Sequence, residues 1–223
     1  SRPSREMLLR LSEQLSIPLR ERNSLLIAGG YAPFYPQKPL DTPEMTAARD
    51  AVMRILEGHL PHPALAVDRY WTLQFANSAV YSLLIGVDPV LLIGDVNVLK
   101  VSLHPDGLAP QIANFHEWRH HLFVRLEKDI EVSCDPKLAA LRDELLALPV
   151  PPKPAAPPTN VAAPEIAVPL RLNTDQGQLS FISTTTVFGS AVDVILSDLA
   201  IEAFFPADAE TAGILSRLNG AAS

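Results

Sequence analysis

Cysteine is all but missing: Cys134 is the one thiol in 223 residues. An intrachain disulfide framework is excluded, and such a chain suits a reducing compartment, so the expected location is the cytoplasm. Cys134 follows Ser133 at a helix end with no histidine motif beside it, and is expected to be buried or chemically idle. Long apolar runs are missing too. The longest, such as Val90-Leu91-Leu92-Ile93, fall far short of the roughly 20 residues that cross a bilayer as a helix, so no membrane span is expected. No basic-then-apolar segment opens the chain, which begins at Ser1. Glycine is sparse, at 10 residues, and none sits in a phosphate-cradling loop; G-x-S-x-G and Cys-x-x-Cys are also missing. With these signatures gone, neither an enzyme nor a cofactor is the expected reading.

What is there is an apolar, proline-rich chain. Hydrophobic residues make up 48% and charged residues 19%, which gives a globular class with material for one medium domain and an appendage. The net charge of −7 is unevenly spread. Residues 1–31 hold five arginines against three glutamates, so a basic head precedes a strongly acidic body. That pattern points to nucleic acid at one end only, although solvated helix faces are often arginine-rich as well.

Ser4 is placed to cap a helix running to about Leu15, with Leu8, Leu11 and Leu15 on one face. Pro18 opens a second helix, Leu19 to Ala28, which Gly29-Gly30 ends. Two helices of this size cannot bury both their faces, so they read as part of a larger bundle. Residues 33–42 contain Pro33, Pro36 and Pro39 and read as a linker. A helix is predicted from Pro43 to Glu57 or Gly58. A strand, a polar turn and a second strand follow over Pro63 to Ala76, and a new helix opens at Asn77 or Ser78. A helical middle extends to about Leu148; its strongest piece, Ile112 to Val132, carries Phe115, Trp118, Leu122, Leu126 and Ile130 at helical spacing. The tract from Pro149 to Pro158 is too stiff for helix or sheet, and residues 149–164 read as a surface loop. Strands are expected over Ile166–Leu172, Gln178–Phe188 and Leu199–Phe205, the last with Leu199, Ile201, Ala203 and Phe205 alternating with more polar neighbours. Asp208 then caps a terminal helix ending near Leu218.

One literal catalytic pattern occurs. His116-Glu117-Trp118-Arg119-His120 matches H-E-x-x-H, in which two imidazoles one turn apart hold zinc and the glutamate activates its water. A zinc hydrolase built on His116, Glu117 and His120 is therefore the remote alternative. At 100° per residue, however, both histidines fall on a flank of the helix, away from an apolar stripe centred near Phe115, Arg119 and Leu126. A guanidinium on that stripe is costly unless it meets an anion or reaches water. Arg119 thus either greets the acidic head of an apolar ligand, pairs with an internal carboxylate, or snorkels past the core edge. Trp71, Phe75, Phe115, Trp118, Phe181 and Phe188 fall on faces expected to meet in one core, either as plain packing or as cavity walls. Asn77 and Asn97 stand where helix caps or turn residues belong.

The Pro63–Ala79 stretch resembles the opening of PAS-type sensory domains, whose core is a ligand cavity rather than a catalytic centre. Three blocks together resemble the MmyB-like group of XRE-family transcription regulators. They are Ser1 to Pro33; Pro63 to Ala79 with Asn97-Val98-Leu99-Lys100 and His104-Pro105-Asp106-Gly107-Leu108; and Phe188-Gly189, Asp193-Val194 and Leu199 to Asp208. The resemblance implies an α+β protein: a PAS-like antiparallel sheet of about five strands with a helical middle, preceded by a partial all-α helix-turn-helix bundle. Residues 1–32 would be the last helices of that DNA-binding bundle, and 43–223 the sensory domain. It further implies a regulator that binds operator DNA, as a homodimer, and holds a small lipophilic acid such as a fatty acid. On that reading Arg119 meets the head group, and Trp71, Phe75, Asn77, Asn97, Phe115, Trp118, Leu122, Phe181 and Phe188 surround the ligand. The competing reading is a dimerisation or interaction module with a filled core. The departures are the lack of a recognition helix before Ser1, so that the sequence as given should not read DNA unaided, the proline-rich insertion, and Ile195 where a threonine is expected.

Overall fold

The computed structural model describes residues 2–153, 168–188 and 193–220. The Ser4 hydroxyl accepts the Met7 N–H at 3.2 Å and starts α1 (Arg5–Gln14). Helix α2 (Leu19–Ala28) ends in a Schellman motif: Gly30, at φ 73°, donates to Ile27 while Tyr31 donates to Leu26. Residues 33–42 contain no helix or strand but are fastened down. The buried Asn23 amide accepts the Phe34 and Tyr35 N–H groups and donates to the Tyr35 carbonyl, and the Pro36 carbonyl accepts the Val194 N–H.

A 3-10 turn at Pro43–Met45 leads into α3 (Thr46–Glu57). Then come β1 (Ala64–Val67), β2 (Leu73–Ala76), α4 (Ser78–Leu83), α5 (Val98–Leu103), α6 (Phe115–Ser133) and α7 (Pro136–Leu146). The chain closes with β3 (Leu170–Thr174), β4 (Gly177–Val187), α8 (Val194–Ser197), β5 (Ala200–Pro206) and α9 (Ala209–Gly220). The five strands form one antiparallel sheet in the order β2-β1-β5-β4-β3, so the α+β, PAS-like expectation holds.

Both faces of the sheet are covered. On one, Val52 and Leu56 of α3 pack on Ala64, Ala66, Leu199 and Ile201. On the other, Leu179 and Phe181 meet Trp118, Leu122 and Leu126 of α6, Leu145 of α7 and Ile214 of α9. Each such fully buried aliphatic side chain contributes about 1.5–3 kcal/mol.

Several boundaries move, for local reasons. Helix α6 begins at Phe115 rather than Ile112, because Ile112 bridges Leu172 of β3 and Asn114 turns to accept the Arg171 N–H at 3.1 Å. Thr174 pairs with Gly177, so the hairpin turn is only Asp175-Gln176, with Gly177 at φ 123°. Helix α8, capped by Asp193, stands where no element was predicted. The predicted alternation of β5 fails because the strand is buried from both sides: Ile201 and its neighbour Glu202 are both inside, while Phe205 is 43% exposed. Asp208 caps α9 as expected, accepting the Thr211 N–H at 2.7 Å. Cys134 is exposed, in the left-handed conformation that ends α6. The first residues of the predicted strand at 166–167, loop residues 154–164 and Gly189 lie outside the described residues.

Candidate ligand site

Between the sheet and the helical middle lies a cavity of about 110 Å³. Leu65 and Phe204 come to it from the sheet, Val80 and Leu83 from α4, Leu99 from α5, and Trp118 and Leu122 from α6. The apolar spacing of three and four along α6 and the short apolar helices α4 and α5 dictate this lining. Among its lining residues only Ser102, Arg125 and Glu202 have aliphatic side chains that end in a polar group. Ser102 is already engaged, accepting the Trp118 indole N–H at 3.1 Å.

Arg125 and Glu202 form the polar wall. The guanidinium donates to both carboxylate oxygens, at 2.6 and 3.2 Å, and to the Thr185 hydroxyl at 2.9 Å. That hydroxyl in turn donates to Glu202 at 2.8 Å. Leu65, Glu202 and Thr185 are direct neighbours across β1, β5 and β4, so strand register places the acid. The Glu202 side chain is 5% exposed and that of Arg125 is 26% exposed. The guanidinium also lies 4.7 Å from the centre of the Trp71 ring, a cation–π distance. Burying such a pair is not in itself stabilising, since desolvation offsets the attraction; its place in a cavity wall is what marks it. Next to it, His121 stacks on Trp118 with ring centres 5.4 Å apart. Burial first, and then the Arg125 cation, hold the His121 imidazole below its ordinary pKa.

Trp71 is set by an unusual turn. Asp68 accepts the N–H groups of Tyr70 and Thr72 at 2.8 and 2.9 Å, and Trp71 takes φ 63°, a costly conformation outside glycine. The same turn meets the N-terminal helices. Arg69 reaches Glu21 of α2 at 3.2 Å and Asp135, the α7 cap, at 3.4 Å. Nearby, Arg20 of α2 clamps Asp198 through two nitrogens at 2.6 and 2.8 Å. Burial pushes the Asp198 carboxyl up, against the opposing pull of Arg20.

Of the residues singled out in the sequence, the structure brings Trp71, Trp118 and Leu122 together around the cavity. The other seven stand elsewhere. Phe75 and Phe188 pack on the opposite, α3-covered side of the sheet. Phe115 and Phe181 belong to the core around the cavity without lining it. Asn77, 2% exposed, begins α4 but spends its amide on three backbone groups: the Ala64 N–H and the carbonyls of Leu56 and His62. Asn97 caps α5 by accepting the Leu99 and Lys100 N–H groups and donates to the Tyr70 carbonyl. Arg119 sits outside the cavity, its guanidinium 4.5 Å from the centre of the Phe123 ring. The buried stripe of α6 runs through Phe115, Trp118, Leu122 and Leu126, one residue around from the centre predicted, and leaves Arg119 on its flank. Arg125 and Glu202 were missed. Arg125 falls three residues after Leu122 and one before Leu126, a spacing that could have raised it, whereas nothing local marks Glu202.

The H-E-x-x-H residues diverge. Glu117 accepts from Asn114 at 2.9 Å, His120 is exposed, and the half-buried His116 has its Nε2 enclosed beside Phe115 with no hydrogen-bond partner among the described residues. No group of three or more His, Cys, Asp or Glu among the described residues is arranged to hold a metal ion. Nor is any described helix long and apolar enough to cross a membrane.

Compared with known proteins, residues 48–218 match the family model of the MmyB-like transcription regulator ligand binding domain, well over half of the chain. No curated protein matches it.

Proposed function

The chain belongs to the family of MmyB-like transcription regulator ligand-binding domains, and from that premise we propose that its cavity receives a lipophilic ligand, a fatty acid, whose occupancy sets DNA binding. The hydrocarbon tail lies against Leu65, Trp118 and Leu122, and the acidic end approaches Arg125, which takes the role expected of Arg119. The observation that carries this reading is an apolar space between sheet and helices whose wall holds one largely buried ion pair. Helices α1 and α2 belong, in this proposal, to a helix-turn-helix module that reads operator DNA as a homodimer in the cytoplasm. Coupling follows from the turn at Trp71: a ligand that shifts Trp71 acts on the turn whose Arg69 pairs with Glu21 of α2. Such a ligand changes regulation only to the extent that it prefers one arrangement of the helices.

Two measurements test the proposal. Both tryptophans of the chain line the cavity, so titration with dodecanoate should change their emission in a saturable way. Mass spectrometry of solvent extracts from freshly purified protein should find a stoichiometric lipid. The competing reading is a ligand-free dimerisation module, in which a space of about 110 Å³ is a packing void of the size that elsewhere takes a guest no larger than benzene or xenon. No extracted lipid, no emission change and a stable dimer would establish that reading instead.

A further inference from the structure

A second space adjoins the cavity. The turn between α1 and α2 roofs a groove of about 720 Å³, bounded also by α6 and by the sheet. Trp71, Arg125 and Glu202 line both spaces, facing the cavity on one side and the groove on the other. We infer that the ligand site continues past these three residues into the groove, where it takes the polar end of an amphiphile too long for the cavity, so that the α1–α2 turn is one of its walls. The inference rests on the reading of the cavity as a lipophilic-ligand site.

Volume argues for it first. The inner space of about 110 Å³ holds a short hydrocarbon segment, given that about 150 Å³ is filled by one benzene. A chain of a dozen carbons must leave that space, and the wall it meets is the Arg125–Glu202 pair. The chemistry of the groove agrees. Ile17 of the turn, Val67 of β1 and Val132 of α6 provide apolar walls, while Arg125 and Lys128 on one helix provide cations. Four of its acids are engaged, Glu21 by Arg69, Asp198 by Arg20, Asp68 by two backbone N–H groups and Glu202 by Arg125, and the exposed Asp129 lines it as well. An anionic head at the boundary therefore meets the cations of Arg125 and Lys128, beside the exposed Asp129. Arg125 is the more exposed partner of the pair, and its guanidinium, which lies over Trp71, bonds the exposed Thr185 on the groove side and so can turn to a ligand there. Because the turn carrying Ile17 leads directly into Arg20 and Glu21, the length of the guest is read by the helix that both ion pairs hold.

Blocking the groove separates the two compartments. In Ile17→Trp and Val132→Trp, both at solvent-accessible positions of the full chain, calorimetric affinity for dodecanoate should fall about tenfold or more, and affinity for 1-hexanol should stay within about twofold. A selective loss in either variant supports the inference. Unchanged dodecanoate affinity in both, or a parallel loss of both probes, overturns it. If neither probe binds the unaltered protein, the cavity reading itself fails, an outcome distinct from loss of the groove alone.

Discussion

Replacing Arg125 by Met removes one half of the pair in the cavity wall and leaves the other in place. The Glu202 carboxylate, 5% exposed, then keeps only the Thr185 hydroxyl. Leaving a buried charge without its partner costs about 3–5 kcal/mol, and because Arg125 is 26% exposed, with water able to reach the vacated site, the lower end applies. For a chain of this size about 3 kcal/mol lowers Tm by roughly 6–12 °C. The double variant Arg125→Met, Glu202→Leu removes both charges and fills the wall with apolar volume, so it should recover that loss and match the original stability or exceed it by up to about 1–4 kcal/mol. Urea unfolding followed by far-ultraviolet circular dichroism reads both variants without relying on Trp71, whose emission Arg125 affects directly. The reasoning is refuted if the single variant loses less than about 1 kcal/mol, or if the double variant is no more stable than the single one.

Arg119→Met should change stability by about 1 kcal/mol or less, the scale of its half-buried contact with Phe123, and leave dodecanoate affinity untouched; a large loss of affinity would return the head-group role to Arg119. Asn77→Ala should cost about 3 kcal/mol or more in urea unfolding, because three buried backbone groups lose their partner together. His121 and His62 are both held below the ordinary imidazole pKa, in each case first by burial, so the unfolded chain binds more protons as pH falls through about 6.5. Stability should therefore drop on acidification through that window, and Tm of His121→Phe, which keeps the stack on Trp118, should fall less steeply than that of the parent; equal slopes would count against it. Arg20→Ala should accelerate amide exchange in α2 while β5 stays protected, and uniform acceleration would mean that the clamp on Asp198 is global rather than local.

Local signals carried the helices well. Ser4, Gly29-Gly30 and Asp208 each specify a helix end through their own side chain or backbone freedom, and each end lies within a residue or two of its prediction. The sheet was legible as strands but not as faces. Alternation identifies a buried side only when the other side is wet, and α3 covers the second face, so Ile201 and Glu202 are both enclosed. The same limit hid the polar wall: Glu202 looks like an outward residue of β5 until register sets it beside Leu65 and Thr185 and α6 brings Arg125 across. Arg119 and Arg125 are both arginines among apolar residues on one helix, and only the rotation of that helix, fixed by tertiary packing, decides which of them meets the cavity. Asn97 was legible as a helix cap, whereas the Asn77 amide binds backbone 13 to 21 residues away in sequence, which no local pattern marks.

The centre of the sheet is occupied by its last strand. β5 lies between β1 and β4, so during synthesis the first hairpin emerges with its inner edge open and must wait for β5 to be paired. Leu65 and Phe204, which share the cavity floor, are separated by the whole helical middle, and closing so long a loop is slow. A polypeptide halted before β5 therefore has helices but lacks the strand that brings Glu202 and Phe204 to the cavity wall.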